Sequence, residues 1–80
     1  VLKWGMTKTR YARINRGPDG TVEDADRVAA YLPSNYSVVG VFADQVIIAG
    51  NDNAGWTLED YVLPRLASGL YFGVELTEAP

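Results

Sequence analysis

The residues of this chain that could carry chemistry crowd into one stretch. Asn51, Asp52, Asn53 and Gly55 form a polar loop, and Trp56, Thr57, Glu59, Asp60, Tyr61 and Arg65 follow it. Closely spaced Asn, Asp and Gly are what a calcium loop uses, but the alternating carboxylates and terminal bidentate glutamate of such a loop are missing. The same residue types are what a turn needs in any case. Glu59 and Asp60 are better used at the positive end of a helix. Neither a metal nor a cofactor is therefore expected. The chain has no cysteine and no histidine, which excludes disulfides, thiolate ligands and the commonest general base. No nucleophile and base stand in a recognisable pair, and no glycine-rich phosphate cradle is present. Acid–base work by Asp, Glu or Tyr is all that remains to an enzyme. A non-catalytic protein is the expectation.

The aromatic residues suggest recognition instead. Trp56 lies one residue before Thr57, the place of a hydrophobic staple whose partner is Tyr61. Trp, Tyr and Arg are also the residue types that anchor protein interfaces. The candidate interaction residues are Trp56, Tyr61 and Arg65, with Tyr36 and Tyr71. Arg65 is an isolated cation in an acidic half, expected to pair with Glu59, Asp60 or a carboxylate across an interface. Pro64 removes a backbone donor inside the helical pattern and biases Leu63 away from helical geometry, so the helix should kink or split there.

Charge is distributed unevenly. Lys3, Lys8, Arg10, Arg13 and Arg16 precede the first acid, Asp19; beyond them the chain has all ten acids against Arg27 and Arg65. Charge neutralisation within a domain or dimer is the simpler reading of that asymmetry. The alternative is a nucleic-acid-binding domain using Arg10, Arg13 and Arg16 on its first strand. An RNA-recognition motif needs stacking aromatics on its first and third strands. The third-strand segment "QVIIAG" has neither an aromatic nor a basic residue, which weakens that alternative.

The elements that must position these residues follow from periodicity and punctuation. "KTRYARINR" (8–16) alternates as a first strand, with Ala12 and Ile14 on one side and Tyr11, Arg13 and Asn15 on the other. Gly17-Pro18-Asp19-Gly20 is a turn. Thr21 and Asp24 read as a capping box opening a helix over 22–32, which Pro33 ends. Residues 36–42 and 45–50 make a tight hairpin turning at Ala43-Asp44. Thr57 caps a second helix with Asp60 at its third position, and Gly69 supplies a left-handed stop. Leu70, Phe72, Val74 and Leu76 alternate with Tyr71, Gly73 and Glu75 as a last strand. The order βαββαβ, with "TVED" and "TLED" opening both helices, predicts an α+β, ferredoxin-like fold. That fold is a four-stranded antiparallel sheet with two helices on one face. Residues 6–80 are expected to form this single domain, with residues 1–5 an added leader before Met6.

A core of this size supplies only ~3–5 kcal/mol, so further support is expected. Both faces of the 36–50 hairpin are apolar while helices can cover one, which points to a homodimer covering the second. No apolar run approaches the ~20 residues of a membrane helix, and a cytoplasmic location is expected. "DNAGWTLEDYVLPRLASGL" (52–70) and "YLPSNYSVVGV" (31–41) resemble segments of small uncharacterised proteins from actinobacteria and their phages, over residues of about 16–76. The resemblance implies a phage or mobile-element accessory protein that contacts a host protein, and carries over no site residue.

Overall fold

The computed structural model describes residues 9–15, 17, 24–53 and 55–77. Four strands, β1 (Thr9–Ile14), β2 (Tyr36–Val41), β3 (Val46–Asn51) and β4 (Val74–Thr77), form one sheet in the order β2-β3-β1-β4. Every neighbouring pair is antiparallel. Helix α1 (Ala25–Ala29) joins β1 to β2. Between β3 and β4 the chain makes a π-helical turn (Leu58–Val62) that runs directly into α2 (Leu63–Ser68). The protein is an α+β fold. No helix among the described residues is long and apolar enough to cross a membrane.

Register explains the core. Ala12 pairs with Ile48 and Leu76, and Ile14 with Val46 and Val74, so these side chains share one sheet face. Ala12, Ile14, Val46 and Ile48 are fully buried there, in one cluster with Val28 of α1 and Leu58, Val62 and Leu66 of the second helical segment. The alternation in β1 thus sorts Ala12 and Ile14 inward as its sequence requires. The expectation of an uncovered second face does not hold at the sheet centre. Ile47 and Ala49 point away from the helices, yet both are buried within the single chain. They sit on a central strand opposite Arg13 and Tyr11. The Phe42 ring folds back so closely that a Cβ on Gly40 would lie 2.8 Å from it.

Several boundaries differ from the sequence expectations. The first helix begins at Ala25, and Asp24 is its N-cap, accepting from the Asp26 N–H. The capping-box reading of the sequence places Asp24 at the third helical position. Its carboxylate serves the cap equally well, and Thr21 lies outside the described residues. The helix ends at Ala29, and tighter bonds from Tyr31 N–H to Val28 O and Leu32 N–H to Ala29 O carry the chain to Pro33. The last strand starts at Val74, not Leu70. Tyr71 turns into the core and Phe72 outward, because α2 closes in a Schellman motif. Tyr71 N–H reaches Leu66 O at 3.4 Å and Leu70 N–H reaches Ala67 O at 2.9 Å. The left-handed residue of that motif is Leu70 (φ 71°), whereas Gly69 has φ −87°. Gly69 is needed for a different reason. A Cβ there would lie 2.7 Å from the Tyr31 ring and 2.9 Å from the Tyr71 ring.

Candidate functional site

Two side-chain groups meet at the β3–helix connection. The first is a polar network centred on Asp52. Its Oδ1 accepts from Tyr36 Oη at 2.6 Å and from Leu58 N–H at 2.9 Å, and its Oδ2 faces Arg10 Nη1 at 3.1 Å. Arg10 also grips Glu59 in a two-point fork, with Nη1–Oε1 at 2.6 Å. One guanidinium thus links the first strand to the loop and to the first turn of the second helical segment. The register that sets Arg10 opposite Gly50 delivers it there. Asn35 closes the loop from the other side, its Nδ2 donating to Asn51 O at 2.9 Å and Trp56 O at 3.0 Å. Gly55 takes φ 80°, the backbone a type II turn asks of its third residue, and Trp56 N–H bonds to Asn53 O.

Each titratable group in the network is pinned. Burial pushes the Asp52 carboxyl up, but the hydrogen bonds from Tyr36, Arg10 and the Leu58 amide outweigh it and hold it below its ordinary value. The Arg10 hydrogen bond holds Glu59 down as well. Burial, then the bond to Asp52, raises the Tyr36 phenol well above its usual value. Hydrogen bonds to Glu59 and Asp52 raise Arg10. An ionised acid fixed to a guanidinium and a neutral buried phenol are poorly matched to proton transfer at neutral pH.

The second group is a stack. Thr57 caps the helical segment as its sequence implies, its Oγ1 accepting from Asp60 N–H at 3.2 Å. The staple forms too: the Trp56 and Tyr61 ring centroids are 4.6 Å apart. On Tyr61 the Arg65 guanidinium lies 5.9 Å from the ring centroid, and Arg65 Nε donates to Tyr31 O at 3.0 Å. Arg65 was expected to pair with an acid. It pairs with a carbonyl and a ring instead, because the π turn and the i,i+4 spacing carry it over Tyr61 rather than over Glu59. Pro64 divides the segment in the expected place but Leu63 stays helical (φ −64°, ψ −45°). The wide turn before it, with Val62 N–H reaching back to Thr57 O, absorbs the conflict that a proline ring creates with the preceding turn.

The structure therefore brings Trp56, Tyr61 and Arg65 together and separates the other candidates from them. Tyr36 and Tyr71 are core residues, nearly inaccessible to a partner. Arg10 and Arg13 point to opposite sheet faces, and Arg13 pairs with Glu75 at 3.2 Å. Arg16 lies outside the described residues. Charge neutralisation accounts for Arg10 and Arg13, and they present no common basic surface. Sequence reasoning overlooked the Arg10–Asp52–Glu59–Tyr36 network. Its signal was the basic first strand beside an acidic loop, legible only once strand register is known.

Compared with protein-family models, with curated proteins and with solved structures, the chain matches none.

Proposed function

We propose that this protein is a small, non-catalytic protein–protein interaction module of the ferredoxin-like kind, cytoplasmic and homodimeric. The strand order β2-β3-β1-β4, all antiparallel, with both helical segments contributing to one core, supports that fold assignment. The observation that carries the function is the Trp56–Tyr61–Arg65 stack. Trp56 is 45 % exposed although it is stapled to Tyr61, and Arg65 is held by Tyr31 O. These side chains are ordered before any partner arrives, so binding costs them little rotamer freedom. The pinned state of Asp52, Glu59 and Tyr36 supports a structural use of these acids and this phenol. The resemblance to small actinobacterial and phage proteins supports an accessory role in which the partner is a host protein.

Immobilised chain exposed to host extract tests the reading. A specific protein should be retained, and Trp56→Ala should reduce its retention at least tenfold while the circular dichroism of the variant stays native. Equal retention by a folded Trp56→Ala chain would overturn the assignment of the stack.

A further inference from the structure

Exposed apolar side chains gather at the margins of the sheet, since its centre is covered from both sides. At one margin lie Val39, Val41 and Phe42, each more than half exposed. They belong to β2 and the residue following it, and β2 is an edge strand whose outer side faces no other strand among the described residues. Natural edges are commonly guarded by charged side chains or proline. Residues 34–43, "SNYSVVGVFA", contain neither. The guard that is present is a bulge between Val38 and Gly40, and it leaves Val39 outward.

We infer that the β2 edge is the contact through which a second copy of this chain binds, β2 against β2, antiparallel about a two-fold axis. The inference rests on the interaction-module reading and assigns the homodimer its surface. The occupant follows from charge. In a two-fold contact each residue near the axis meets its own kind, so a charge there would face its own sign. The chain is acidic overall, with a net charge of −3. The opposite margin carries Glu75 on β4, and the second helical segment carries exposed Glu59 and Asp60. The β2 edge is neutral over ten residues, and antiparallel pairing sends the two Asp44 turns to opposite ends of the contact. A charged foreign segment would find no complementary charge along it. Pairing joins two four-stranded sheets into one of eight strands and brings Val39 and Val41 of both copies together.

The test uses the whole chain. Light scattering across a dilution series should report twice the chain mass, and Val41→Lys should weaken association at least tenfold without altering the circular dichroism. The chain has no cysteine of its own, so single cysteines at Ser37, Val39 and Val41 can be oxidised separately. A disulfide needs Cα atoms within about 7 Å, which only a position at the two-fold axis meets. One of these variants should cross-link efficiently and Phe72→Cys should not. A monomer at every concentration overturns the proposal, as does a dimer that cross-links through Phe72→Cys and ignores Val41→Lys. A monomer that still captures a partner through Trp56 overturns this edge contact and leaves the stack's role standing. A β2-linked dimer that captures nothing does the reverse.

Discussion

Replacing Asp52 with alanine probes the polar network most directly. The carboxylate does three jobs: it caps the second helical segment at Leu58, satisfies the Tyr36 hydroxyl and faces Arg10. Losing the cap costs about 1 kcal/mol. The Tyr36 side chain is buried, and leaving its hydroxyl without an acceptor costs about 1–3 kcal/mol more. The pair with Arg10 adds only ~0–1 kcal/mol, because Arg10 is partly solvated and keeps Glu59. These losses overlap, so we expect about 2–4 kcal/mol in all. At about 4–8 °C per kcal/mol for a domain of this size, the Tm should fall by roughly 8–32 °C. Urea unfolding followed by tryptophan fluorescence, at one fixed protein concentration, measures it. Asp52→Asn keeps an acceptor for Leu58 and Tyr36 and should cost less than half as much. In a Tyr36→Phe background Asp52→Ala should cost about 1 kcal/mol less, since no hydroxyl is orphaned. A loss below about 1 kcal/mol for Asp52→Ala, or full additivity with Tyr36→Phe, would refute the reasoning.

Further expectations concern pH and backbone. Asp52 and Glu59 have folded pKa values below their unfolded ones, so they contribute stability above the ordinary carboxylate range and lose it as pH falls through the depressed values. Urea midpoints between neutral and acid pH should therefore drop more steeply for the natural chain than for Asp52→Asn. Tyr36 is shifted the other way: its contribution is complete below the unfolded phenol value of about 10 and declines as pH rises beyond it. Tyr36→Phe should flatten that alkaline decline and remove a late-titrating phenol from the phenolate absorbance. Gly69→Ala should destabilise by about 1–3 kcal/mol, because its Cβ meets the Tyr31 and Tyr71 rings, with thermal unfolding as the measure. Leu70→Gly should instead stabilise, by up to about 1 kcal/mol, because an exposed leucine with positive φ is replaced by the residue that tolerates it. Unchanged or lowered stability there would show that Leu70 makes contacts worth more than its strain.

The margins of the molecule are also where strain and exposure coincide. Leu70, itself left-handed, and Phe72 stand out to solvent, while Tyr71 between them is buried. An alternating pattern normally sends its apolar side inward. Here the Schellman close rotates the chain before β4 begins, and the pattern is read from the wrong starting point until Val74.

By itself, the sequence determined what local chemistry controls. Thr57 and Asp60 mark the cap, Trp56 and Tyr61 the staple, Pro64 the break, and Ala12 and Ile14 the inward side of β1. Each depends on residues a few positions apart, whose geometry one turn or one pleat dictates. Tertiary structure decided everything that joins distant segments. Arg10 meets Asp52 and Glu59 across separations of 42 and 49 residues, which only the β1–β3 register can specify. Gly69 owes its identity to a tyrosine ring from another element, and its role as a helix stop passed to Leu70. The burial of Ile47 and Ala49 within one chain, on the face that the sequence reading assigned to a partner subunit, depends on their place in the middle of the sheet. Local signals name the elements, but a side chain's partners are set by which elements the fold lays side by side.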